Sequence, residues 1–267
     1  MTLPKPILLV GAGALGSSIL KGFRVKGQAQ PKDIMILDLL PGDEADAYMR
    51  DGARLNPSPE AWHEAKTVIL AVKPQGWHAV AQILNGNLDP NAVLISVMAG
   101  VKTTHLKHAF SGHAIARVMP TTGVATGRGV ASIYAERNEA LVAAQAVFGP
   151  MASTVILKDE GLIDSATAVS GSGPAYVYAF VRALEKAALE TGLDNVEAKT
   201  LARATLISAA TLLDVTGEEP DDLIRKVASP GGTTEAALNV LCHKGSGLDE
   251  LMSEAVLAAF RRSKELG

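Results

Sequence analysis

Over the first 160 residues the apolar positions fall in short unbroken runs: ILLV (7–10), IMIL (34–37), TVILAV (67–72) and AVLISV (92–97). A strand with one face in water alternates apolar with polar. A run that is apolar throughout reads as a strand covered on both faces, as in a parallel sheet. Segments of helical length separate these runs, among them Ala14 to Lys26 and Pro74 to Leu84. Strand and helix in alternation predict an α/β fold with a doubly wound, mostly parallel sheet. Further short strands are expected at AIARVM (114–119), GVASIYA (129–135) and STVIL (153–157).

After about residue 160 the runs give way to helical spacing. Val177, Phe180, Val181, Leu184 and Ala188 share one face of a long helix. A second helix is expected from Val196 to Thr216, closed by Gly217. Pro220 suits the first turn of a third, which Pro230 must stop. Thr234 to His243 reads as a fourth helix, with Gly245 behind it. Leu248 to Lys264 reads as the last, with Leu248, Leu251, Met252, Ala255, Val256, Ala259 and Phe260 in one stripe. The chain is therefore expected to divide into an α/β domain, 1–159, and an all-helical domain, 160–267. No fixed-period repeat or low-complexity tract interrupts either.

Composition narrows the class. Charged residues are 20% of 267 and the net charge is −3, with scattered basic residues, so nothing marks a nucleic-acid partner. The single cysteine, Cys242, permits neither an internal disulfide nor a Cys-based zinc site, and fits a reducing cytoplasm. The opening run Ile7–Val10 is too short for a signal peptide, and no stretch reaches the length of a membrane span. The six histidines show no ligand spacing, so no metal is expected, and no serine sits in G-x-S-x-G.

GAGALG (Gly11, Ala12, Gly13, Ala14, Leu15, Gly16) follows the first strand directly and opens a helix. In a dinucleotide site the first glycine permits the tight turn and the second admits the pyrophosphate. The third lets the helix pack closely, and free N–H groups at the helix start hold the phosphates. The plainer reading is a structural strand-to-helix turn. Asp38, at the end of the second strand, lies about 20 residues beyond the motif, the spacing of a carboxylate on the adenosine ribose. It equally suits a turn former. Ala71 and Val72 end the third apolar run and Lys73 and Pro74 follow it, on the side of the sheet where ligands lie in this fold.

In the helical half, GSGPAY (171–176) precedes the long helix and SPGGTT (229–234) a short one. Gly171 and Gly173 can serve close helix packing alone. In SPGGTT, Pro230 ends one helix and Thr233 or Thr234 can cap the next. Successive N–H groups aimed from such a turn suit a compact anion, above all a carboxylate.

With these blocks in view, the sequence resembles the pyrroline-5-carboxylate reductase family. The resemblance runs nearly end to end. It is carried by GAGALG, Asn56 in GARLNPSPEA, AVKPQ, RVMP (117–120), AVSGSGPAYVYAF (168–180) and LIRKVASPGGTTEAAL (223–238). It implies a Rossmann-type domain followed by a helical dimerisation domain, whose partners interlock and place each active site at the dimer interface; decamers are common in the family. It implies reduction of 1-pyrroline-5-carboxylate to L-proline, the last step of proline biosynthesis, by NADH or NADPH. It also implies that the backbone of Gly231, Gly232 and Thr233 holds the substrate carboxylate. Thr234 would present its hydroxyl to the imine nitrogen, and Asn56 would join the cofactor site.

Two departures stand out. Where the family continues Met-Pro with Asn-Thr-Pro, this chain has MPTTGV, with Thr121 and Gly123, so substrate fit or rate is expected to differ. After the second strand the family often carries a small polar and a basic residue that serve NADPH. Asp38-Leu39-Leu40 supplies neither, which predicts a preference for NADH. A related imine or β-hydroxyacid reductase is the alternative enzyme. The lysine such dehydrogenases use has only the late Lys186 as a counterpart. A non-catalytic nucleotide sensor would not need an intact SPGGTT.

Overall fold

The computed structural model describes residues 2–266. Among them the strands β1 (Ile7–Val10), β2 (Ile34–Leu37), β3 (Arg54–Leu55), β4 (Thr67–Leu70), β5 (Val93–Ser96), β6 (Ala114–Pro120), β7 (Gly129–Ala135) and β8 (Ala152–Ile156) form one sheet. Its order is β3-β2-β1-β4-β5-β6-β7-β8. All neighbours pair in parallel except β6 with β7, which are antiparallel. The unbroken apolar runs are explained by two cores. Ile7, Leu9, Ile34, Ile36, Ile69 and Ile95 enter one, and the alternating Leu8, Val10, Met35, Val68, Leu70 and Leu94 enter the other.

The helices α1 (Ala14–Lys26), α2 (Asp43–Arg50), α3 (Pro59–Trp62), α4 (Trp77–Leu84), α5 (Thr103–Ala109), α6 (Asn138–Phe148) and α7 (Leu162–Ala166) belong to this part of the chain. α1 has its expected bounds and ends on Gly27 in the left-handed region. The expected helix from Pro74 begins instead with one 3-10 turn, Pro74–Gly76, before α4. TVILAV contributes only Thr67–Leu70 to the sheet, because Ala71 and Val72 leave it to lie against Gly11.

The chain forms two compact units. One runs to Gly171 and includes the end of the chain from Phe260; the other is Ser172–Ala259. The second consists of α8 (Gly173–Glu190), α9 (Asn195–Thr216), α10 (Pro220–Val227), α11 (Thr233–Leu241) and most of α12 (Leu248–Leu266). Asp194 caps α9 by accepting from Val196 and Glu197 N–H, while Glu197 reaches back to Asp194 N–H. Among the described residues, the buried hydrophobic side chains of this unit are Ala198 and Ala202. Phe180 remains 45% exposed and Leu251 60% exposed. Among the described residues, its apolar stripes thus remain only partly covered.

α10 ends at Val227, three residues before Pro230, in keeping with a proline stop. Ser229 is held out of helical geometry as the residue before proline, and Ala228 has already left the helix. α11 closes at Leu241 rather than His243.

Candidate functional site

The turn between β1 and α1 has the shape of an anion cradle. Gly11 has φ +96, and a Cβ there would stand 2.7 Å from the Ala71 carbonyl and 2.9 Å from Val72 N. The same turn is tied to the sheet on both sides, by Gly11 N–H to Leu37 O at 2.9 Å and Ala71 N–H to Val10 O at 2.7 Å. A Cβ on Gly16 would fall 2.0 Å from the Gly11 carbonyl oxygen, so the helix start packs directly on the turn. At Gly13 the same construction meets nothing within 4 Å. Gly13 is the N-cap of α1, with no capping side chain and no acidic residue in the first turn. The N–H groups of Ala14, Leu15 and Gly16 are left for an outside anion. These residues fit the pyrophosphate of a dinucleotide.

Asp38 directly follows β2 and reaches this turn. Its Oδ2 accepts from Ala12 N–H at 2.5 Å and its Oδ1 from Leu40 N–H at 2.8 Å. Asn56 holds Asp38 in place: its Oδ1 accepts from Asp38 N–H at 2.9 Å and its Nδ2 donates to Asp38 O at 2.8 Å. Asn56 itself adopts φ +46, an unusual conformation that asparagine tolerates better than most residues. A carboxylate offers about four acceptor positions, so Asp38 retains capacity for ribose hydroxyls. Leu39 and Leu40, 96% and 89% exposed, present no cation beside it. Lys73 occupies the N-cap position of the 3-10 turn opened by Pro74, makes no capping bond with its side chain, and is exposed.

In the helical unit, SPGGTT forms a tight turn. Gly231 has φ +72; its N–H donates to Glu235 Oε2 at 2.8 Å. Gly232 N–H donates to Ser229 O at 3.0 Å. The N-cap of α11 is Gly232, not a threonine, and no side chain caps the helix. Thr233 and Thr234 are its first two residues, because the left-handed Gly231 turns the chain into the helix one residue earlier than the sequence suggests. The cap position being glycine, their N–H groups are free. Among the described residues the Thr234 hydroxyl has no hydrogen-bond partner.

The MPTTGV departure has a local use. Thr121 is buried; its N–H donates to Val130 O at 2.9 Å and its Oγ1 accepts from Val130 N–H at 3.1 Å. Its hydroxyl therefore closes the β6–β7 connection. Gly123 fits the same tight turn, since a Cβ there would stand 3.3 Å from Arg128 O and from Gly129 Cα. The glycines of GSGPAY are not needed for close packing inside this chain. A Cβ on Gly173 meets nothing within 4 Å, and one on Gly171 makes ordinary contact with Thr167 Cγ2 at 3.4 Å. Residues Thr167–Gly171 form a π-helical turn.

Arg117, the first residue of RVMP, belongs to a cluster whose other members no motif marks. Arg117 in β6 is 5% exposed and donates from Nη1 to Glu160 Oε1 at 2.7 Å. Thr103 adds its N–H to the same oxygen at 2.7 Å and its hydroxyl to Oε2 at 2.6 Å. Burial pushes the Glu160 carboxyl up, but the bonds from Thr103 and Arg117 outweigh it and hold the group below its ordinary range. The available signal was an arginine inside the fully apolar strand AIARVMP, which demands a buried partner. Among the described residues no group of three or more His, Cys, Asp or Glu can hold a metal ion, and no helix is long and apolar enough to cross a membrane.

Comparison with known proteins places these features. Residues 160–266 match the family model for pyrroline-5-carboxylate reductase dimerisation. Residues 6–100 match a model described as NADP oxidoreductase, coenzyme F420-dependent. The chain is 35% identical to pyrroline-5-carboxylate reductase of Synechocystis sp., covering 97% of each. It is 34% identical to that of Pseudomonas aeruginosa, covering 100% of this chain and 98% of the relative. A solved pyrroline-5-carboxylate reductase of Coxiella burnetii superposes with a TM-score of 0.87 at 28% identity, covering 99% of both chains. An α/β unit with a dinucleotide turn, a helical unit with the SPGGTT turn and near full-length similarity together establish that this chain belongs to the pyrroline-5-carboxylate reductase family.

Proposed function

We propose that this chain reduces 1-pyrroline-5-carboxylate to L-proline, the final step of proline biosynthesis, with NADH or NADPH. The observation that carries this reading is similarity to named reductases over 97% of the chain. Nucleotide binding is assigned to residues 1–159. Substrate binding and dimerisation are assigned to 160–267, in keeping with the family model that begins at residue 160.

The bound dinucleotide supplies the hydride. Gly11, Gly13 and the α1 N–H groups of Ala14, Leu15 and Gly16 hold its phosphates, with Ala12, Ala71, Val72, Lys73 and Pro74 around them. Asp38, oriented by Asn56, accepts from the adenosine ribose. A carboxylate there repels a 2′-phosphate, and no adjacent Lys or Arg offsets it, so NADH is preferred. Gly231 and Gly232 shape a seat for the substrate carboxylate, and Thr233 N–H donates to it. The Thr234 hydroxyl donates to the imine nitrogen. As hydride adds to C5, the C=N π pair moves onto nitrogen, which takes up a proton. A donor at that atom lowers the barrier.

A second copy of the chain covers the apolar stripes of the helical unit. A unit whose buried hydrophobic side chains are Ala198 and Ala202 gains little from burial against the entropy of ordering its helices. We therefore assign a homodimer, with higher assembly such as a decamer built from it, in the cytoplasm. Thr234→Ala is expected to lower kcat roughly 100-fold and leave dinucleotide affinity intact. Steady-state kinetics beside a cofactor titration check this; unchanged kcat contradicts the role of the hydroxyl.

A further inference from the structure

Both glycine N–H groups of the SPGGTT turn are already committed inside the protein. Gly232 N–H donates to Ser229 O at 3.0 Å, and Gly231 N–H donates to Glu235 Oε2 at 2.8 Å. The donors at this turn without a capping side chain are those of Thr233 and Thr234, at the start of α11. We propose that Glu235 is a positioning residue of the carboxylate seat. Its bond fixes Gly231 in the left-handed conformation, and that turn presents the Thr233 and Thr234 N–H groups to the substrate carboxylate. This inference rests on the reading of SPGGTT as the seat for that carboxylate.

The physical reason is preorganisation. A glycine pair samples a wide range of backbone conformations, and ordering it on binding weakens affinity. Glu235 orders it beforehand from within the first turn of α11, where its charge is also favoured by the helix dipole. The chain contains a comparable arrangement without an assigned ligand. Glu250, in the first turn of α12, accepts from Gly245 N–H at 2.7 Å and from Gly247 N–H at 3.2 Å. Glu250 therefore serves as the control for a purely structural role.

The test uses the full-length enzyme and compares 1-pyrroline-5-carboxylate with 1-pyrroline, the same ring without a carboxylate. Glu235→Ala and Glu235→Leu are expected to raise KM for the carboxylate substrate about tenfold, with kcat/KM for 1-pyrroline within about twofold of wild type. Glu235→Gln keeps an acceptor oxygen and is expected to restore KM to within about threefold. Glu250→Ala is expected to lower the melting temperature and leave both KM values unchanged. A KM for Glu235→Ala within about twofold of wild type, or below it, overturns the proposal. Should the wild-type enzyme show the same KM for both imines, the carboxylate reading of the turn fails, and the proposal with it. That outcome is read on the wild type alone and so is distinct from failure at Glu235.

Discussion

Gly16→Ala is expected to cost the protein roughly 100-fold in dinucleotide affinity, the factor to which about 3 kcal/mol of lost phosphate contacts corresponds. The added Cβ would stand 2.0 Å from the Gly11 carbonyl oxygen and 3.0 Å from its carbonyl carbon. Both atoms are backbone, so no rotamer change relieves the clash. The helix start must move away from the turn, and the N–H groups proposed to hold the phosphates move with it. Gly13→Ala is the informative companion, since nothing lies within 4 Å of its Cβ position. It should leave the melting temperature unchanged while blocking approach of the pyrophosphate. Fluorescence titration with NADH, beside thermal melts, separates the two. Gly16→Ala binding within about threefold of wild type would contradict this account of the turn.

The second large effect is expected at Glu160. Glu160→Ala leaves the Arg117 guanidinium, 5% exposed, without its carboxylate partner. Removing one partner of a buried pair costs about 3–5 kcal/mol, and the partial exposure of Glu160 favours the lower end. Because the carboxyl is held below its ordinary value of 4.5, its contribution to stability is complete above that pH. It is lost as pH falls through the lower value of the folded protein. Urea unfolding at pH 7 should show the loss in Glu160→Ala. Glu160→Gln, which cannot titrate, should flatten the acid limb of stability against pH. An acid limb identical to that of wild type would sink the assignment of the pair.

Much of this architecture is written in local pattern. The first strands are legible because both their faces are buried, and α1 because Gly27 closes it at φ 62. α6 left no stripe to read: NEALVAAQAVF is alanine-rich on every side, although Ala140, Ala143, Ala144, Ala146, Val147 and Phe148 are all buried. α2 is hard to read for the opposite reason, being acidic with only Ala45 and Tyr48 buried. The antiparallel turn of β7 against β6 depends on the Thr121–Gly129 connection, and strand composition does not encode direction.

The dinucleotide turn could be read because each glycine has its own steric demand. The grip of Asn56 on Asp38 and of Glu235 on Gly231 could not. The first depends on the fold bringing together residues 18 apart; the second spans only four residues but depends on Gly231 taking a left-handed φ of +72. Glu160 is similar in kind, since a glutamate before Gly161 resembles a solvated charge until Arg117 is placed beside it.

Imine reduction by this chain is tested by following oxidation of NADH and NADPH in parallel by the purified protein, with and without 1-pyrroline-5-carboxylate. Oxidation is expected to depend on the imine, with L-proline formed in equal amount and a higher kcat/KM for NADH. A higher kcat/KM for NADPH would contradict the role of Asp38, and no imine-dependent oxidation of either cofactor would contradict the assigned activity itself.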